Sequence, residues 1–171
     1  MKTLKYTLLL LAILITNSTF AQTKEETVLY IQNLLKLSNG NGDKSNLIVL
    51  DQKFNLDLVT TKKRKNEVAG GKKQDIDETI SVFEIPWSEA FILQEMPISG
   101  GLVSFVISFH NKAKAREMVK FYFHYDQEDF KGDEEFTNTF EIYVPSGKEQ
   151  NFKKAFFHLI DLIKKEDPFG N

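Results

Sequence analysis

Apolar residues along this chain repeat with two periods, near 3.6 at its ends and 2 in its middle. After Thr23, Val28, Ile31, Leu34 and Leu35 recur at helical spacing, and Glu26 stands three residues beyond Thr23 as a capping box requires. The pattern predicts an amphipathic helix over 24–37, ended by Gly40 and Gly42. Leu47 to Leu50 is a short apolar run, and beyond Asp51, Gln52 and Lys53 the residues Phe54, Leu56 and Leu58 alternate with polar ones. Two strands forming a hairpin are expected. Residues 61–75 are polar and basic and contain Gly70 and Gly71, which predicts a long loop. Strand character returns from Thr79 to Ile85 and stops at Pro86, and 87–96 fits either a helical turn capped by Ser88 or more sheet.

The clearest alternation is Val103, Phe105, Ile107 and Phe109, matched by Val119, Phe121 and Phe123. A hairpin closing around 111–115 would pair Phe105 with Phe121 and turn the odd positions of both strands inward. The acidic stretch 126–135, with Gly132, reads as a turn before a last strand over 136–144. Ser146 and Glu149 repeat the capping-box spacing, and Phe152, Ala155, Phe156, Leu159, Leu162 and Ile163 form one stripe. A helix should run to Lys165. The sum is an α+β fold: an N-terminal helix, an antiparallel sheet or barrel of five to seven strands, and a long C-terminal amphipathic helix.

The first residues read differently from the rest. Lys2 and Lys5 precede an apolar run from Leu8 to Ile15, which breaks at Thr16, Asn17 and Ser18, and Thr19 and Ala21 suit a signal peptidase. The expectation is a cleaved secretory leader, 1–21, and a single domain, 22–171, that is periplasmic or extracellular. The alternative is a membrane anchor, for which the run falls short of about 20 apolar residues. No cysteine is present in the 171 residues, so a lipid-modified cysteine is ruled out and apolar packing, with 15 Phe in the chain, must carry stability. Loss of the two leader lysines takes the formal net charge from −2 to about −4, which argues against non-specific binding of nucleic acid or anionic membrane by the domain as a whole.

Antiparallel strands closed by one C-terminal helix resemble the pleckstrin-homology-like barrel. Two phrases also resemble small uncharacterised exported bacterial proteins: Ile85-Pro86-Trp87-Ser88, and Lys154-Ala155-Phe156-Phe157-His158-Leu159-Ile160. The resemblance covers about 47–165 and carries over no site residue. The initial helix departs from the plain barrel and leaves a different α+β sandwich open.

Candidate chemistry is sparse. His110, His124 and His158 are expected far apart, at the surface or rim. The acids Asp126, Glu128, Asp129, Asp133, Glu134 and Glu135 lack calcium-loop spacing, because Phe130 intrudes and Gly132 comes late. Ser104 and Ser108 lie mid-strand, no nucleophile elbow occurs, and 40–45 has neither the glycine spacing nor the strand-to-helix context of a phosphate loop. No cofactor or metal is expected. What stands out is the basic segment, where Lys62, Lys63, Arg64, Lys65, Lys72 and Lys73 face only Glu67 and Asp75. As a mobile tongue it could dock on an anionic surface or an acidic protein partner. Its neutralisation would then leave stability almost unchanged, since a loop buries little. The bland alternative is a solvated connector. An exported non-enzymatic binding domain is the leading expectation, beside a carrier of an apolar ligand between sheet and helix and a hydrolase whose residues converge from distant segments.

Overall fold

The computed structural model describes residues 23–43, 47–69, 72–122 and 127–166, with side chains over the same spans except 67–69, 72–74 and 127–129. The expected leader lies outside the described residues, as do Phe123, His124 and Asp126.

Helix α1, Lys24–Lys36, starts as its sequence dictates: Thr23 Oγ1 accepts from Glu26 N at 3.1 Å and Glu26 Oε2 from Thr23 N at 2.9 Å. The sheet follows as β1 (Gly42–Asp43), β2 (Leu47–Phe54), β3 (Leu58–Ala69), β4 (Lys72–Phe83), β5 (Phe91–Ile98), β6 (Leu102–Tyr122) and β7 (Gln127–Pro145), and helix α2, Glu149–Glu166, ends the described chain. Every strand pairing is antiparallel, and the seven-stranded sheet is not closed.

Several expected boundaries move, each for a physical reason. Leu47–Phe54 is one strand, and the reversal falls at 55–57, where Asn55 Oδ1 accepts from Asp57 N and Leu58 N. The expected loop over 61–75 is instead most of the β3–β4 hairpin. Its strands look polar because cross-strand ion pairs, rather than apolar contacts, line much of both faces. The expected hairpin at 111–115 does not form, since no glycine or proline there supports a reversal. Leu102–Tyr122 runs on as one strand with a bulge between Ser108 and Ala113, where Glu89 accepts from Asn111 N at 2.9 Å. Phe105 therefore pairs with Ile142 and Phe121 with Ile76, not with each other. The acidic stretch is strand from Gln127 onward, and Gly132 sits at a second bulge: a Cβ there would stand 3.2 Å from Glu117 O. Residues 87–96 divide into a 3-10 turn, Trp87–Glu89, and β5. Helix α2 begins past Ser146, because Gly147 takes φ +85° and donates its N–H to Glu149 Oε1.

Strand β6 organises the sheet. Strand β7 lines one edge along its length, while the other edge takes β5 near its start and β4 near its end. One face of the starting half is covered by both helices, with Phe105, Ile107, Phe140 and Ile142 packing on Ile31, Leu35, Phe152 and Phe156. At 4.7 Å between centroids, Phe105 and Phe152 anchor that layer. The ending half carries no such cover in the core cluster and projects as a ribbon with β3 and β4.

The open seam lies between β2 and β7. Instead of a backbone ladder, the carboxamide of Gln52 fills the gap: Nε2 donates to Tyr143 O at 2.8 Å, and Tyr143 N donates to Oε1 at 2.8 Å. Thr61 Oγ1 and Ser38 Oγ donate to the carbonyls of Glu141 and Tyr143. Side chains thus satisfy a buried strand edge that would otherwise be orphaned.

Candidate functional site

Pairing in β3 and β4 splits the basic segment by parity. Lys63 and Lys65 turn to the inner face, and Lys62 and Arg64 to the outer face; Lys72 and Lys73 lie on β4 opposite Ala69 and Val68, with side chains outside the described set. The structure therefore does not gather the described four into one positive tongue.

On the inner face Lys63 is buried, and its Nζ lies 2.9 Å from Glu78 Oε2, 3.4 Å from Glu141 Oε2 and 3.4 Å from the Tyr143 hydroxyl. The Glu78 contact is an ion pair without hydrogen-bond alignment at that oxygen, whereas Lys65 Nζ bonds Glu78 Oε1 at 2.6 Å. Tyr143 OH and Ser104 Oγ both donate to Glu141. Two cations thus meet two carboxylates, and the network is self-neutral. Burial pushes the Glu78 carboxyl up, but the two ammonium groups outweigh it and hold it below its ordinary 4.5. Burial likewise drives the Tyr143 phenol far above its ordinary value, with Glu141 adding to the rise. Ser104 is sealed in with a carboxylate acceptor, which suits structure rather than nucleophilic attack. Among the described residues no three His, Cys, Asp or Glu are grouped to hold a metal. His110 is exposed and stacks on Phe91 at 5.6 Å, and His158 lies apart from it on α2.

On the outer face Arg64 grips Asp77 with both arms, at 2.6 and 3.1 Å, and Tyr122 OH donates to the same carboxylate at 3.0 Å. The guanidinium lies 5.2 Å from the Tyr122 ring centroid. Burial raises the Asp77 carboxyl, yet the bonds from Arg64 and Tyr122 prevail and hold it below its ordinary 3.8. Arg64 is thereby committed. Lys62 stands farther off, 4.0 Å from Asp77.

Register then places one row straight across four strands: Lys62 opposite Thr79, Thr79 opposite Met118, and Met118 opposite Lys131. Lys120 faces Asp77 in the adjacent row. Three strand spacings separate the backbones of Lys62 and Lys131, about 14 Å. A groove of about 360 Å³ lies here, lined by Lys62, Lys120 and Lys131 around Met118, Val119 and Phe130, with Asp77 and Thr79 on its wall. Met118 is 47% exposed beside these lysines, whereas Phe130, which pairs with Val119 in the row of opposite parity, turns its ring toward Gly132 on the other face. In the rows beyond it, Arg116 pairs with Glu134 and Lys114 with Glu84.

Of the four basic residues singled out by sequence whose side chains are described, Lys62 alone lines this groove; Met118, Lys120, Phe130 and Lys131 were missed. Alternation from Lys114 to Lys120 carries part of the signal, but only the register brings it beside Lys62. No family model, curated protein or solved structure matches the chain. No helix among the described residues is long and apolar enough to cross a membrane.

Proposed function

We propose that the chain is an exported, non-enzymatic binding domain that takes an anionic partner on the outer face of the β3–β4–β6–β7 ribbon. The observation that carries the reading is the groove that Lys62, Lys120 and Lys131 line together on this one face, beside the half-exposed Met118. Inside the fold each strong ion pair is self-neutral and buried, so an incoming anion would find its charge partner only at the surface. Export rests on the tripartite pattern of residues 1–21. A pleckstrin-homology-like kinship belongs to the same proposal, supported by antiparallel strands followed by a C-terminal helix.

Retention on immobilised dextran sulfate tests the site. Because the domain is net negative, retention requires a local patch, and Lys62→Gln/Lys120→Gln/Lys131→Gln should elute at lower salt than wild type. A control triple, Lys36→Gln/Lys53→Gln/Lys154→Gln, should elute with wild type. Equal elution of both triples would contradict the assignment. Intact mass of protein recovered from the envelope or medium tests export, with a chain starting at Gln22 expected.

A further inference from the structure

Independently of the outer-face reading, we infer that the free edge of β7 on the ribbon takes an extended basic peptide segment, which adds as a further strand and lays its cationic side chains over the inner face. Strand β7 pairs with β6 along one edge. At Glu141 and Tyr143 its other edge is capped by the side chains of Thr61, Ser38 and Gln52. From Phe130 to Thr137, by contrast, no strand, turn or side chain among the described residues bonds that edge. A row of backbone N–H and C=O groups left to water is what a strand-adding peptide binds.

The inner face beside this edge is acidic and partly apolar. The bulge sets Gly132 and Asp133 against Glu117, and Glu135 pairs with Ala115, so Glu117, Asp133 and Glu135 share one face with Ile80 and Phe130. Together they line a groove of about 430 Å³. Phe130 is 61% exposed, and its ring comes within 3.9 Å of where a Gly132 Cβ would stand, so the glycine leaves the ring room to lie along the groove. The three carboxylates are exposed, and among the described residues none of them has an ion pair or hydrogen bond. Glu134, between two of them, points to the outer face and is paired with Arg116.

Charge selects the occupant. A second copy adding antiparallel through the same edge, centred on Glu134, would set Asp133 against Glu135, and like charges directly opposite destabilise such a pair. A basic chain meets opposite charge at the same positions. Asp133 and Glu135 lie two residues apart, about 7 Å, which is the spacing of side chains on one face of an added strand. Lysine or arginine stems would cover Ala115 and Phe130 while their heads reach Asp133 and Glu135, and the Phe130 ring adds a face for a cation. The other concave surface outside the ribbon, about 320 Å³ beneath α1 around Val28, Leu29 and Leu56, adjoins no free strand edge of this kind, and its cation, Lys24, is paired with Glu166.

Fluorescence anisotropy with a labelled octapeptide of alternating lysine and valine tests the inference. Each exposed ion pair contributes up to about fivefold, so Glu117→Gln/Asp133→Asn/Glu135→Gln should weaken binding at least tenfold at low salt. A control triple of equal charge change, Glu25→Gln/Asp57→Asn/Asp161→Asn, should bind like wild type. The acids replaced are exposed, so the fold should tolerate the change, and Asp133→Asn alone makes the same comparison with a smaller loss if it does not. The same peptide methylated at every backbone nitrogen keeps its charge and loses its donors, and should bind at least tenfold more weakly. Spermine, a cation without a peptide backbone, should not displace the labelled peptide at equal concentration. Equal losses for both triples would overturn the inference, since net charge alone would then attract the peptide. Undiminished binding of the methylated peptide, or displacement by spermine, would overturn strand addition in favour of a simple cation groove, and no binding of the octapeptide would overturn both. Retention of the first triple on dextran sulfate should match wild type, which keeps this outcome separate from that of the outer face.

Discussion

Replacing Gln52 by Met asks whether a single side chain holds the seam of the sheet. The two residues are similar in length and volume, so the change removes the carboxamide with little void. Tyr143 N–H then loses the acceptor 2.8 Å away, and with Tyr143 and Gln52 each 1% exposed no water can take its place. Leaving one buried donor unsatisfied costs about 1–3 kcal/mol. The Tyr143 carbonyl loses the Gln52 donor but keeps Ser38 Oγ at 2.7 Å, so its share is nearer about 0.5–1 kcal/mol. Burial of a thioether in place of an amide returns part of this, and about 2–3 kcal/mol of net destabilisation is expected. In urea, with a slope of about 2 kcal/mol per molar, the midpoint should fall by about 1 M at unchanged slope. Gln32→Met removes a similar bridge, from Gln32 to Gln52 O and Phe54 N, but at a half-buried place that water can reach. It should cost under about 1 kcal/mol. A Gln52→Met midpoint within error of wild type, or equal losses for both variants, would refute the reasoning.

Three further outcomes follow from the same contacts. Lys63→Met and Arg64→Gln should each destabilise by about 2–4 kcal/mol, against under about 0.5 kcal/mol for Lys62→Gln, because only the first two leave buried carboxylates short of a partner; equal urea midpoints for all three would contradict the parity split. Asp77 and Glu78 are held below their ordinary values of 3.8 and 4.5, so their stabilisation is complete above about pH 4.5 and is lost as pH falls through the lowered values; Asp77→Asn/Glu78→Gln should flatten that acid limb of the stability curve, and an unchanged limb would count against it. Phe105→Ala should cost about 3–5 kcal/mol and Phe121→Ala distinctly less in denaturant melts, since Phe105 is fully buried under α2 whereas Phe121 is only partly buried on the ribbon.

Where one short stretch holds both members of an interaction, the sequence was enough. Thr23 and Glu26 cap α1 within four residues, and the Phe152 to Ile163 stripe announces α2 without outside help. Parity in Val103 to Phe109 also survives, because one face of that segment meets the helices. Misreadings came where a strand's partner was polar or distant. Lys62 to Lys65 looked like a loop since strands are expected to alternate apolar with polar, yet their neutralising acids, Asp77 and Glu78, come 13 residues or more later on the paired strand. Once those residues are paired, the expectation that neutralising the segment leaves stability unchanged also falls. The segment 111–115 suggested a turn because a bulge and a turn share composition, and the missing glycine or proline was the discriminating sign. The groove needed more still: Lys62, Lys120 and Lys131 meet only when the registers of β3, β4, β6 and β7 are fixed together.

Amide-resolved NMR of the mature domain during titration with a short dextran sulfate oligomer tests the proposed site most directly. The account predicts saturable shifts confined to the outer face of the ribbon, at Lys62, Thr79, Met118, Lys120 and Lys131, that shrink as salt is raised. Shifts centred instead on Val28, Leu29 and Leu56 beneath α1, or spread without saturation over the surface, would contradict it.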